Sequence, residues 1–165
     1  MEQLLRQDME SFANSRQRAN DRALACWQEM RGGRAFPTPD QATSFATELW
    51  QQAGDLGSNV FVVDFNGAPQ RSVFTVGSPA LDSVCGQGTA RRRIADCLPK
   101  PLRRSILGFV KTMAKAPRPI TVSSSFVTEG GKQMLYRSIY LPLSADQSRV
   151  AHLLGAFSFK ALPAA

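Results

Sequence analysis

From Asn59 to Phe65 the sequence NVFVVDF abandons helical spacing for a run of β-branched and aromatic residues, the composition of a strand. Asn66-Gly67 follows, the strongest short hairpin signal, and residues 70–76 (QRSVFTV) supply a second strand. The chain then turns helical. Ser78-Pro79 opens a short helix through Val84, because serine caps and proline suits the first turn. Residues 89–97 (TARRRIADC) predict another, capped by Thr89 and ended by Pro99. In 101–115 (PLRRSILGFVKTMAK), Leu102, Ile106, Phe109, Val110 and Met113 form one apolar stripe with basic residues opposite, the pattern of a surface helix. Strands at 120–128, 133–143 and 149–160 complete the chain, the first two joined by a turn at Glu129-Gly130-Gly131-Lys132. Two strands, a helical middle and a three-stranded meander predict an α+β fold. Its sheet has five antiparallel strands, with the helices on one face.

Ahead of this unit, residues 1–33 read as an N-terminal helical extension. Leu5, Met9, Phe12, Arg16, Ala19, Ala23, Cys26 and Met30 alternate spacings of four and three, a heptad seam interrupted at Arg16. The polar stretch 14–22 suggests a bend or break, and Gly32-Gly33 a left-handed stop. A seam of this kind packs on its own chain or pairs with a second. Its first half has little apolar area, which favours pairing and makes Leu5, Met9, Phe12, Ala19, Ala23 and Met30 dimer-helix candidates. Residues 34–40 (RAFPTPD) form a proline connector, and residues 41–53 a short amphipathic helix that turns Phe45, Leu49 and Trp50 inward.

The chain of 165 residues carries a net charge of +7, and the excess is local. Arg91, Arg92, Arg93, Lys100, Arg103, Arg104, Lys111, Lys115 and Arg118 are opposed in their segment by Asp96 alone. Such a region is a solvated face, or it attracts an acidic partner, anionic lipid or nucleic acid. No nucleic-acid motif or run of aromatics accompanies the arginines, so nucleic acid is not the expected partner. Cys26, Cys85 and Cys97 are odd in number and form no CxxC pair, which speaks against a disulfide framework or zinc site and for reduced, buried thiols in a cytoplasmic protein. No apolar run approaches ~20 residues, the length of a membrane-spanning helix. A secretory signal is not expected, because no basic stretch precedes an apolar one at the start.

The order of elements resembles that of the PAS sensor domain. Two local motifs carry the resemblance further, toward a stand-alone PAS-like family found mainly in alphaproteobacteria. In 27–40 (WQEMRGGRAFPTPD) a tryptophan helix runs into an R-G-G-R segment and a proline connector. In 137–144 (RSIYLPLS) an arginine-containing strand leads to P-L-S, with Leu154-Gly155-Ala156 following in the last strand. The likeness covers roughly residues 20–160, and 34–165 would be the PAS-like sensor domain. The Asn-Cys-Arg-Phe-Leu-Gln flavin motif of light-sensing relatives is absent.

The resemblance implies a signalling module that holds a ligand or a partner between sheet and helices and dimerises through its first helix. With no output domain after Ala165, the expectation is a non-catalytic sensor or adaptor in bacterial signalling. It would be a homodimer acting on a signalling protein in trans. The cavity would be lined by Phe61, Val63, Phe74, Val76, Phe126, Met134, Tyr136 and Ser138 from the sheet. Leu81, Val84, Cys85, Ile94, Ile106, Phe109, Val110 and Met113 would line it from the helices. A filled core and a small-ligand pocket both accommodate this list, and no cofactor is identified. His152, the single histidine, is a surface residue if it faces outward and a cavity or haem-ligand residue if inward. No pairing of acids, bases or nucleophiles suggests catalysis, including a triad of Asp64, His152 and one of Ser123–Ser125. No spacing suggests a metal. Gly86-Gln87-Gly88 reads as a turn rather than a dinucleotide loop. Arg31 and Arg34 either satisfy the last helix carbonyls or dock a partner, and Arg137 is expected to stack or to pair with Glu129 or Asp64.

Overall fold

A computed structural model describes residues 2–51, 59–66 and 68–163, with the side chains of 2, 4, 5, 8–18 and 49–51 left out of the description. The elements are α1 (Glu2–Arg31), α2 (Pro39–Gln51), β1 (Val60–Asp64), β2 (Val73–Val76), α3 (Pro79–Cys85), α4 (Ile94–Cys97), α5 (Lys100–Lys115), β3 (Ile120–Val127), β4 (Gln133–Leu143) and β5 (His152–Ala161). The five strands form one antiparallel sheet in the order β2-β1-β5-β4-β3. The last strand enters the middle of the sheet and joins the first hairpin to the closing meander.

Several elements follow from local chemistry. The Ser78 side chain accepts from Leu81 N–H at the start of α3, Pro79 occupies its first turn, and Gly86 ends it at φ 70°. Helix α5 buries Leu102, Ile106, Val110 and Met113 of the predicted stripe in the core on one face of the sheet, with Phe109 half-buried beside them. Helix α1 runs unbroken through the polar stretch at 14–22 and stops at Gly32, where φ is 55°.

Other expectations are corrected. The strands β1 and β2 are joined not by a two-residue Asn-Gly turn but by residues 65–72, with a 3-10 turn at Pro69–Arg71; Gly67 lies outside the described residues. The helix expected over 89–97 is reduced to Ile94–Cys97. Residues 91–94 instead run beside β2: Arg91 N–H donates to Phe74 O (2.6 Å), Phe74 N–H to Arg92 O (2.9 Å) and Ile94 N–H to Ser72 O (3.0 Å). Thr89 is no cap; its N–H and hydroxyl donate to Asp82 Oδ1 at 2.8 and 2.6 Å. The final strand begins at His152, not at Arg149.

Both faces of the sheet are covered. Helices α3–α5 lie on one, over a core that includes Phe61, Phe74, Leu81, Ile94, Tyr140 and Phe157. On the other, α1 and α2 bury Ala23, Trp27, Ala42 and Ala46 against Val60, Val62, Ile139, Leu141, Leu143, Leu154 and Ala156. In α2 the central residues are thus alanines, with Phe45 half-buried beside them; the side chains of Leu49 and Trp50 fall outside what is described. The buried face of α1 is Asn20, Ala23 and Trp27, spaced three and four. Ala23 is fully buried on the chain's own sheet, with Ala19 and Met30 half-buried beside it. The seam therefore does not serve one partner along its whole length. The side chains of Leu5, Met9 and Phe12 are outside the description.

Gly155 sets the spacing of the core. It pairs with Phe61 on one side and Tyr140 on the other, and a Cβ built there would overlap the Phe61 ring. We expect Gly155→Ala to cost about 1–3 kcal/mol through overpacking. Phe61→Leu should recover part of that loss in a double-mutant cycle read by urea unfolding; simple additivity would refute the contact. Trp27→Ala should lower stability by about 3–5 kcal/mol in the same assay, whereas a freely projecting helix would tolerate it.

Candidate functional site

The predicted cavity residues come together, with one exception. Phe61, Val63, Phe74, Ile106, Val110, Met113, Phe126, Met134 and Tyr136 are buried in the core beneath α3–α5, and Cys85 and Phe109 pack against it half-buried. Ser138 is buried on the same side of β4, its hydroxyl donating to Tyr140 Oη at 3.0 Å. Val76 belongs to the opposite face. The register slips between Val62 and Val63, which pair with Val76 and Phe74, so Thr75 is an extra residue in β2. Such a bulge reverses the alternation beyond it, and the Thr75 hydroxyl donates to Val62 O.

Two residues that the sequence reading left out complete the site. Tyr140 and Phe157 are both fully buried. The period-two run 134, 136, 138 extends directly to Tyr140, so alternation carried the signal; Phe157 follows from its pairing with Ser138. The rings form two connected series. Phe74 meets Phe61 edge-on at 5.6 Å, Phe61 meets Tyr140 at 6.5 Å, and Tyr140 stacks on Phe109 at 5.0 Å. Phe126, Tyr136, Phe157 and Phe159 continue at 5.6–6.0 Å. The second series is tied to α5 by the Tyr136 and Ser105 hydroxyls, 3.0 Å apart. These side chains occupy the space between sheet and helices. Burial pushes the Tyr140 phenol well above its ordinary value, against the Ser138 hydrogen bond that favours ionisation. The Cys85 thiol is pushed up to about 12, first by burial and then by Cys97 and Asp82 nearby. Cys26 and Cys97 are raised as well, chiefly by burial. A thiol so shifted is a poor nucleophile.

Open clefts lie elsewhere among the described residues. One of about 350 Å³ is bounded by Thr47, Thr75, Val76, Gly77, Asp82 and Arg91; another of about 470 Å³ by Met30, Gln41, Phe45 and Glu48.

The single histidine faces an acid across the sheet. His152 Nε2 stands 3.5 Å from Asp64 Oδ2, across a rung of β1 and β5 near the surface. Ser123–Ser125 lie on β3, with β4 between that strand and β5, so the three residue types do not converge. No group of His, Cys, Asp and Glu suited to a metal ion occurs among the described residues. Arg137 pairs with neither Glu129 nor Asp64; it sits opposite Ser123 and Ser158 in the sheet.

The two sequence motifs meet. Trp27 Nε1 donates to Pro142 O at 2.8 Å, Ser144 N–H donates to Pro37 O at 3.0 Å, and the Gln147 amide brackets Phe36, accepting from its N–H at 3.0 Å and donating to its carbonyl at 2.9 Å. Arg34 Nη2 donates to Met30 O at 3.1 Å and also to Gln41 Oε1, and Arg31 lies 5.3 Å over the Trp27 ring. Both arginines thus act on the end of α1. Beside this joint, backbone N–H groups of Arg149 and Ser148 and the Ser144 hydroxyl hold the Asp146 carboxyl well below the usual carboxylate range.

The basic segment is a surface. On α5, Lys100, Arg104, Lys111 and Lys115 are exposed and fall within a stripe about 60° wide and about 22 Å long. Arg103 is turned inward, donating to Ala95 O at 2.6 Å, and Arg92 donates to Gln87 Oε1. None of the nine cations has a carboxylate partner among the described residues.

No protein-family model and no curated protein matches the sequence. Solved structures do match the fold. The PAS domain of Bordetella pertussis BvgS is 13% identical, with 72% of this chain and 85% of that chain covered, at a TM-score of 0.50. The Rhodobacter sphaeroides LOV protein is 10% identical, with 74% and 68% covered, at 0.52. At such identities the likeness is one of architecture, and it agrees with the strand order and the helical middle. The chain has the PAS fold.

Proposed function

We propose that this protein is a non-catalytic, PAS-like sensor or adaptor module of bacterial signalling. It works in the cytoplasm as a homodimer, and its output is contact with a signalling protein. The observation that carries this reading is the set of aromatic rings between sheet and helices. Phe61 lies over Gly155 and reaches Phe74 and Tyr140, where a PAS-like ligand sensor would hold its small molecule. A chain whose interior is filled by its own side chains is read by partners at its surface. The basic stripe on α5 supports the same reading. It displays charge without exposed aromatic or large apolar side chains to stack on bases or enter lipid, so it suits an acidic protein face.

Native mass spectrometry of freshly purified protein, beside a denatured control, tests the proposal. The expected masses are whole multiples of the polypeptide, with no visible absorption band. A stoichiometric small mass released on denaturation would make the protein a ligand sensor instead. Phe61→Ala offers an independent check by thermal or urea unfolding. If the ring is core, its loss costs about 3–5 kcal/mol. If the ring is a gate over a ligand site, stability barely changes and the variant binds the ligand more tightly.

A further inference from the structure

The two edges of the sheet end differently. Beyond β2, residues 91–94 run alongside and hydrogen-bond to Ser72 and Phe74, which closes that edge. Beyond β3, no backbone hydrogen bond reaches the strand from outside the sheet among the described residues.

The register fixes which groups of β3 point outward. Its pairing with β4 runs without a bulge from Ile120↔Tyr140 to Val127↔Gln133. One step further, Thr128 N–H donates to Lys132 O at 2.9 Å in the same register. Hydrogen-bonded and non-hydrogen-bonded pairs alternate along an antiparallel ladder. The even-numbered residues therefore bond to β4. Thr121, Ser123, Ser125 and Val127 direct N–H and C=O away from the sheet. Natural proteins blunt such an edge with lysine, proline, a bulge or brevity. The sequence ITVSSSFV has eight residues with no charge, proline or glycine. Thr121, Ser123, Ser124, Ser125 and Val127 are all exposed.

We propose that this edge pairs with the same edge of a second copy, antiparallel across a two-fold axis at Ser124, joining two sheets into one. The occupant is argued from the strand itself. Only the register centred on Ser124 engages all four outward residues, Thr121 opposite Val127 and Ser123 opposite Ser125. At the axis the two Ser124 residues form a non-hydrogen-bonded pair, where Cα atoms approach to about 4.5 Å and a short side chain fits. Beyond the strand, Arg118 and Glu129 are exposed and of opposite charge. The two-fold brings Arg118 of each copy toward the turn of the other that carries Glu129. Val127, 53% exposed and the large hydrophobic most open to water among the described residues, gains cover beside Thr121. One strand pair is a small interface, so association is concentration-dependent. The proposal rests on the reading of the chain as a dimeric interaction module, but a bound ligand would not affect it.

Sedimentation and amide hydrogen exchange of the full chain over a range of concentrations provide the test. The expected result is a dimer in which the Ser123 and Ser125 amides gain at least tenfold protection as concentration rises. Ser125→Pro removes an outward N–H and no bond to β4, a change that edge strands tolerate. It should abolish dimerisation with little change in melting temperature. Ser124→Cys should give, on mild oxidation, a disulfide joining two copies at position 124, identified by peptide mapping; Thr121→Cys should not, since that residue is far from its own copy. A wild-type monomer at every concentration overturns the proposal. A dimer that forms no link at position 124 also overturns it. If that dimer is lost in Phe12→Glu, the contact belongs to α1. Should Ser125→Pro fail to fold, the link at position 124 decides.

Discussion

Phe61 lies across β5 only because position 155 has no side chain. That absence orders the rest of the interior. The ring reaches from β1 over β5 toward Tyr140 on β4, and Phe74 closes on it from β2. One residue thus bridges the hairpin and the meander, which are distant in sequence. Any side chain at 155 would drive the ring upward into α5 or outward between strands. A dense interior does not absorb such a shift without cost. The glycine is therefore a packing requirement, and it sits at the centre of the sheet, where glycine otherwise weakens a strand.

The opposite face is assembled by polar joints as much as by apolar area. Trp27 is buried, but its indole N–H finds the Pro142 carbonyl, at a position beyond the end of the β3–β4 pairing, which reaches only to Ile120 opposite Tyr140. The proline connector meets the β4–β5 loop through Gln147, whose amide imitates a strand rung by bonding both backbone groups of Phe36. The chain holds Gln147 at φ 67°, a backbone state uncommon for a residue with a side chain. Asp146 fixes the same loop by gathering donors from 148 and 149. The segment from Trp27 to Pro37 and that from Pro142 to Gln147 are thus one joint, which explains why two distant stretches of sequence both look distinctive.

What the sequence disclosed depended on whether a signal was local. Strand β4 could be bounded at 133–143 because its alternation and its flanking turn lie in one stretch. Ser78-Pro79 and Gly86 marked α3 for the same reason. Val76 was misassigned because a bulge needs two strands to define it: nothing in QRSVFTV marks Thr75 as the extra residue. Residues 89–93 carry good helix formers, yet the exposed edge of β2 captures their backbone and leaves Arg91 at φ 64°. Tertiary pairing overrides propensity there. In α1 the buried face is set by Asn20, Ala23 and Trp27, of which the heptad seam contains Ala23 alone.

These features together locate the surfaces that packing leaves open. Between the sheet and α3–α5 the buried hydroxyls pair with one another, Ser138 with Tyr140 and Ser105 with Tyr136. The second face is closed by α1 and α2, and one sheet edge by residues 91–94. Among the described residues, the basic outer side of α5 and the serine-rich edge of β3 stay open, and they adjoin through the short link at 116–119. A partner drawn to the charge would arrive beside the strand, and a second copy seated on the strand would bring the two α5 helices onto one side of a continuous sheet. Like charge on those helices would then oppose close approach unless an acidic surface bridged them. Were two copies to assemble on this edge, capture of an acidic partner would be physically coupled to that assembly, because each would alter the electrostatic cost of the other.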